Sequence, residues 1–312
     1  MISMVNKACA DSVAAAIVTY NPDIEMLNAN IRAIYGRVRL FIIDNGSANV
    51  RDIENLLADI NRETIYLIKN SENMGIAVAL NQALDASRAA NYRWLLTLDQ
   101  DSLCDRDFFD HILPVTQTCH SDVGIIYPTI VDEAIESITK SKDRGACVNA
   151  LKRLKSSLCR LLGADITLPI TSGSVVNTNI AARIGNFYED LFIDGVDHDF
   201  ALKIYEGGYS IIKCEGAKLY QNQGAPVTRK VAGNTFAASG HSPLRCYYMN
   251  RNSWLLFYRH RAEFLGWTIY NTISTFTSTL LNVAVNENHL EYLKEITKGE
   301  LDGIRGKSGK RK

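Results

Sequence analysis

Trp94-Leu95-Leu96-Thr97-Leu98-Asp99-Gln100-Asp101-Ser102 decides the fold of this 312-residue chain. An apolar run of this length reads as a buried strand, and it stops on two carboxylates. Residues two apart in an extended chain point the same way, so Asp99 and Asp101 leave the strand end on one face. Two hard oxygen ligands at such a point suit a divalent cation that also holds a diphosphate. In open α/β sheets, ligands sit in the crevice outside the carboxyl ends of the strands, which is where this pair falls. A strand running into an ordinary polar turn writes the same letters, so the motif draws its weight from its neighbours.

Upstream, Val13 to Tyr20 is a β-compatible run closed by Asn21-Pro22, and Ile24, Leu27, Ile31 and Ile34 follow at helical spacing. Val38 to Ile43 predicts a second strand, ending in Asp44-Asn45-Gly46-Ser47; Ile53 to Ile60 predicts a helix and Thr64 to Ile68 a third strand. Asn73-Met74-Gly75 opens a helix to about Arg88, with Ile76, Leu80 and Leu84 on one face. Strands alternating with helices predict an α/β fold, a mostly parallel sheet flanked by helices, with its polar strand ends on one edge. Downstream, helices are expected at Phe108–Val115 and Asn179–Ile184, and strands at Val123–Ile130, Thr171–Val176 and Tyr209–Cys214. Residues 132–168 are Lys-rich, with a helix expected at Ala150–Leu162. From Ser242 the chain is aromatic and helical. Phe264 to Val285 carries no formal charge but many Thr, Ser and Asn residues, too polar for a confident span. An interfacial helix, or one packed on the rest of the protein or on a second copy, fits it better. The basic end, Lys307 to Lys312, is expected to fray.

Composition narrows the function classes. Thirty-four basic residues balance thirty-four acidic ones, so no global field points to nucleic acid. Seven scattered cysteines without a Cys-x-x-Cys pair argue against a disulfide framework or a zinc site and for a reducing compartment. With no basic start followed by an apolar stretch, a cytoplasmic protein is expected.

The ordered set Ile17-Val18-Thr19-Tyr20-Asn21-Pro22, Ile43-Asp44-Asn45-Gly46-Ser47, Asn73-Met74-Gly75-Ile76-Ala77, Leu98-Asp99-Gln100-Asp101-Ser102, Ser172-Gly173-Ser174 and Phe192-Ile193-Asp194-Gly195-Val196-Asp197 resembles family 2 glycosyltransferases with the GT-A fold. The Asp-Gln-Asp-Ser form, the Phe-Ile-Asp-x-Val-Asp segment and His241-Ser242-Pro243-Leu244-Arg245, followed by Tyr247-Tyr248 and Arg251-Asn252, resemble its bacterial rhamnosyltransferase branch. The likeness covers roughly residues 13–255. It implies a GT-A catalytic domain over residues 1–241, with a nucleotide-sugar half at 1–102 and an acceptor half at 103–241. Residues 242–312 would form a helical extension, membrane-interfacial or oligomerising. It also implies an inverting transfer of L-rhamnose from dTDP-β-L-rhamnose to a hydroxyl of a glycan or glycolipid, at the inner face of the cell membrane. The cofactor implied is a divalent cation, Mg²⁺ or Mn²⁺.

Residue by residue, Thr19, Tyr20 and Asn21 lie where a polar turn can meet the nucleotide. Asp44 can accept from a pyrimidine N3–H or a ribose hydroxyl, or simply cap its own turn. Asn73 and Gly75 open a helix whose N-terminus favours an anion or a base edge, or they are only its cap. Asp101 is the expected direct metal ligand, with Asp99 on ribose or a metal-bound water. Asp197 is the expected general base, because an acceptor hydroxyl needs a positioned carboxylate to take its proton; Asp194 and Asp199 are second choices. Relatives place a His-x-x-Gly after the following strand, where this chain has Gln221-Asn222-Gln223-Gly224. Gln221 or His241 would then complete the metal site, unless Asp101 and the substrate diphosphate hold the ion, and Arg245 would clamp the diphosphate unless it is an ordinary surface arginine. A transferase using a UDP-sugar, or a catalytically weak scaffold, stays open.

Overall fold

The computed structural model describes residues 12–58, 60, 64–131, 146–221, 227–231, 234–238 and 240–311. The chain divides into two compact units: residues 1–132, 168–192 and 196–222 form the first, and 133–167, 193–195 and 223–312 the second.

The first unit is built on one eight-stranded sheet. Its strands are β1 (Val13–Thr19), β2 (Arg39–Asp44), β3 (Ile65–Lys69), β4 (Trp94–Asp99), β5 (Ser102–Cys104), β6 (Val123–Val131), β7 (Val175–Asn177) and β8 (Ser210–Gln221), in the order β3-β2-β1-β4-β7-β6-β8-β5. Pairing is parallel from β3 through β4 and between β6 and β8. It is antiparallel at β4–β7, β7–β6 and β8–β5, so the sheet is mixed. Helices α1 (Ile24–Ile34), α2 (Val50–Ala58), α3 (Ile76–Ala89), α4 (Phe108–Thr118), α6 (Thr178–Ile184) and α7 (Val196–Glu206) belong to this unit. Every residue of β1 is buried, as expected of a parallel strand covered on both faces. Leu27, Ile31 and Ile34 of α1 and Ile53 and Leu57 of α2 complete one core with β1, β2 and β4. Asp23 caps α1 by accepting from the backbone of Glu25 and Met26.

The structure departs from the expected elements in physical ways. β5 is three residues long and has no sequence signature; it exists because Ser102, Leu103 and Cys104 pair with Gln221, Tyr220 and Leu219. The strand expected at 171–176 shrinks to Val175–Asn177, because Thr171–Ser174 forms a turn in which Gly173 sits at φ 82°. The helix expected from Asn73 begins only at Ile76.

The second unit holds α5 (Ala146–Leu161), the antiparallel pair β9 (Val227–Val231) and β10 (Asn234–Ala238), α8 (Pro243–Val285) and α9 (His289–Ile304). Within α8, Phe264 leaves helical geometry (φ −121°, ψ 42°). Beyond that break the chain doubles back: Thr272 Oγ1 reaches the Ser253 carbonyl at 3.4 Å and Asn250 Nδ2 donates to Thr279 Oγ1 at 3.0 Å. The polarity of the second limb is largely absorbed internally, since Thr268, Thr272, Thr277 and Thr279 donate to carbonyls three or four residues back. Among the described residues no helix is long and apolar enough to cross a membrane. Helix α9 lies against the first limb through Gly299 and Gly303; a Cβ on Gly299 would stand 2.5 Å from the Tyr247 carbonyl oxygen. The basic end is not frayed. Lys307 Nζ donates to Asp302 at 2.7 Å, Arg311 N to the Tyr248 hydroxyl at 2.8 Å and Arg311 Nη2 to Glu295 at 3.0 Å.

Candidate active site

The carboxyl ends of β1, β2 and β4 bring three of the expected residues to one edge of the first unit's sheet. Thr19 is in register with Asp44, and Val18 with Asp99, so these ends are neighbours at about 4.8 Å strand spacing. Thr19 Oγ1 donates to Asp44 Oδ1 at 3.1 Å, and the Ser47 amide donates to Oδ2 at 3.1 Å. Asp44 is almost fully buried. It therefore does cap its turn, yet two bonds leave acceptor capacity on a carboxylate with about four lone-pair sites. Tyr20 is exposed, and its amide donates to Gln100 Oε1 at 2.8 Å. Asn21, at φ 48°, donates its amide to Ser47 Oγ at 2.8 Å and accepts from the Ala48 amide at 2.7 Å.

Asn73 and Gly75 form the entry to α3. Asn73 Oδ1 accepts from the Gly75 amide at 2.9 Å, and the Ile76 amide donates to the Phe192 carbonyl at 2.8 Å. The first donors of this helix thus already have partners, which narrows what its N-terminus can offer an anion. Gly75 is required here: its φ is 91°, and a Cβ would lie 2.7 Å from the Phe192 carbonyl oxygen.

Asp99 ends β4 half-buried, and Asp101, one turn residue on, is exposed. Gln221 Nε2 donates to Asp99 Oδ2 at 2.9 Å, a contact set up by the pairing of Ser102 with Gln221. Gln221 Oε1 is buried and has no hydrogen-bond partner among the described residues. A buried carbonyl oxygen left unpaired costs about 1–3 kcal/mol, and this one sits on the side chain that bonds Asp99. The side chains expected to hold a cation, Asp99, Asp101 and Gln221, all offer oxygen, the donor type a hard divalent ion takes. Among the described residues no cluster of three His, Cys, Asp or Glu side chains has metal-holding geometry.

Asp197 is the second residue of α7 and half-buried, and its Oδ1 accepts from the His198 amide at 2.8 Å. Asp199 is fully buried with Oδ2 3.5 Å from Lys203 Nζ, an ion pair one helical turn long that gives it a structural place.

In the second unit, Arg245 grips Asp194: Nε lies 3.0 and 3.2 Å from the two carboxylate oxygens and Nη2 2.9 Å from Oδ1. Asn252 Nδ2 donates to the carbonyls of Ile193 and Asp194 at 2.7 and 2.8 Å. Asp194 sits at φ 64° and Gly195 at φ 78°, a left-handed stretch held by those bonds. His241 is half-buried beside this pair. Burial and the Arg245 cation push its imidazole below the ordinary value, against the pull of Asp194.

Two residues carry more of the geometry than their letters suggest. Asn45 is buried, and its amide joins four groups. Nδ2 donates to Asn73 Oδ1 and the Gly75 carbonyl, both at 3.2 Å; Oδ1 accepts from the Met74 amide at 3.0 Å and from Asn70 Nδ2 at 3.2 Å. Ser172 Oγ accepts from the Asp99 amide at 3.1 Å and bonds Ser102 Oγ at 2.6 Å, fixing the strand end that carries the carboxylates. Both lie inside quoted motifs, which was the available signal; their partners come from other strands.

A sheet of this order, with its polar residues at the strand ends, is the GT-A architecture. Residues 15–157 match the Glycosyl transferase family 2 model. It is 28% identical over 304 residues to the dTDP-rhamnosyl transferase RfbF of Shigella flexneri, covering 96% of this chain and 97% of that one. Among solved structures it is similar to the mannosyltransferase PcManGT from Pyrobaculum calidifontis in complex with GDP-Man and Mn²⁺. That likeness has a TM-score of 0.55 at 15% identity, covering 95% of this chain and 88% of the other.

Proposed function

We propose that the protein is an inverting, cation-dependent rhamnosyltransferase that moves L-rhamnose from dTDP-β-L-rhamnose to a hydroxyl of a lipid-linked or growing cell-surface polysaccharide, O-antigen-like in kind. The observation that carries the donor is the near full-length similarity to a dTDP-rhamnosyl transferase. In this reading residues 1–241 are catalytic, and the helical remainder serves the acceptor or the membrane side.

Thr19 to Asn21, Asp44, Asn73 and Gly75 hold the thymidine, with Asp44 accepting from the base N3–H. Asp101, Asp99 and Gln221 would hold a divalent cation, which when bound would offset charge building on the departing dTDP. Asp197 accepts the acceptor hydroxyl's proton as that oxygen bonds the anomeric carbon and the bond to dTDP breaks. One displacement inverts the centre. Arg245 exchanges Asp194 for a diphosphate oxygen, a trade between two charge-assisted partners.

Calorimetry tests the reading with dTDP-rhamnose against UDP-sugars, with and without Mg²⁺ and Mn²⁺, on wild type and Asp101→Ala. Cation-dependent dTDP-rhamnose binding that Asp101→Ala abolishes is the expected result. A preference for UDP would remove the rhamnose assignment, and no nucleotide binding at all would favour a scaffold subunit. Asp197→Asn is expected to keep donor binding while turnover falls by about 10²–10⁴.

A further inference from the structure

We propose that helix α5 docks the protein on an anionic phospholipid surface. The inference deepens the proposed function, resting on it only for why a lipid surface matters; its argument stands on the helix alone. Residues 146–161 hold Lys152, Arg153, Lys155 and Arg160 and no acidic residue, in a chain whose total charge is zero. That is four positive charges concentrated on one helix, without a compensating carboxylate.

The arrangement matters more than the sum. Arg153-Leu154 and Arg160-Leu161 are the same dipeptide repeated seven residues apart, so both pairs emerge on one side of the helix two turns, or about 10 Å, apart. Leu154 is 66% exposed and Leu161 82% exposed, and both arginines are exposed. The side that Lys155 occupies is committed to protein: Lys155 Nζ donates to the Ser274 carbonyl at 3.2 Å and to Ser278 Oγ at 2.7 Å, both on the second limb of α8. Leu158, between Leu154 and Leu161 on the apolar stripe, is half-buried. A helix pinned along one side that offers leucines flanked by arginines on another has the composition of an interfacial helix, apolar side chains entering the acyl boundary while cations meet the headgroups. Self-docking is disfavoured by the same charges. Two copies paired through this face would oppose arginine to arginine with no acid on the helix to answer them.

Co-sedimentation of the full chain with vesicles tests this, using phosphatidylcholine alone and phosphatidylcholine with phosphatidylglycerol. Variants are Leu154→Ser/Leu161→Ser and Arg153→Gln/Arg160→Gln. Each basic residue near an anionic surface is worth about a factor of five in affinity. The arginine pair should therefore weaken binding to phosphatidylglycerol vesicles roughly 25-fold, 1 M salt should largely remove binding, and the leucine pair should weaken it as well. All four side chains are exposed, so thermal unfolding of both variants should match wild type, and if the leucine variant fails to fold the arginine variant decides. Unchanged vesicle binding by the arginine pair overturns the proposal. So does a wild-type dimer in sedimentation velocity that the leucine variant dissolves, which would make the face a contact between copies. Donor binding, measured separately by calorimetry, should be the same in all variants, so failure here leaves the rhamnosyltransferase reading intact.

Discussion

Replacing Asn45 should loosen the loop that joins it to Asn70, Asn73, Met74 and Gly75 more than its size suggests. Asn45→Ala removes four hydrogen bonds of 3.0–3.2 Å, three of them at the long end of the range. At about 0.5–1.5 kcal/mol net for each, with the long bonds at the bottom of that range, the loss is about 2–3 kcal/mol. For a domain of roughly 150–250 residues, 1 kcal/mol moves Tm by about 2–4 °C, so differential scanning calorimetry should find a drop of roughly 5–10 °C. The same bonds hold Asn73 and Gly75, so nucleotide affinity should fall about ten-fold, or ~1.4 kcal/mol. Asn45→Asp is the sharper variant. It keeps the oxygen that accepts from Met74 but turns the other corner of the amide into an oxygen facing two acceptors, Asn73 Oδ1 and the Gly75 carbonyl. It should therefore be at least as damaging as Asn45→Ala, although it is nearly isosteric. A near-wild-type Tm and nucleotide affinity for Asn45→Asp would refute the idea that amide polarity, rather than volume, organises this loop.

Gly75→Ala should cost about 2–4 kcal/mol, because φ 91° strains any Cβ and the Phe192 carbonyl stands 2.7 Å from where it would sit. A Tm within 2 °C of wild type would mean that Phe192 yields instead. His241 should give acid sensitivity. Its folded-state pKa lies below the ordinary 6.5, so the neutral form is favoured in the native protein. That stabilisation is complete above about pH 6.5 and is lost as pH falls through the lowered value. Melting curves from pH 8 to 5 should therefore fall more steeply for wild type than for His241→Gln; parallel curves would remove His241 from the account.

Much of the first unit was legible because buried parallel strands announce themselves as apolar runs. β1, β2 and β4 each end on the polar residues proposed for the site. What escaped depends on tertiary pairing. β5 is invisible in its own three residues, and β8 runs past the expected end at Cys214 to Gln221 through Glu215 and Lys218, which carry no apolar strand pattern. Asn45 reads as a turn residue, because its partners at 70, 73, 74 and 75 are reached only when β2 and β3 lie side by side. The break at Phe264 carries no proline, and Gly266, two residues on, was the only cue. The ordered basic end follows from Tyr248 and Glu295, whose proximity no local pattern encodes.

The three residues Ile193–Gly195 belong to the second unit, although the first unit claims Phe192 before them and Val196 after them. Their backbone is held by Asn252 and their one carboxylate by Arg245, both from the far end of the gene. The protein is therefore not modular in the way its linear order suggests. A truncated version ending before α8 would not be a smaller catalyst awaiting its accessory piece, since it would release the stretch that leads directly into Asp197. Natural recombination faces the same constraint: an exchange of C-terminal halves between relatives can succeed only if the incoming half brings an Arg and an Asn that suit the recipient's Ile-Asp-Gly.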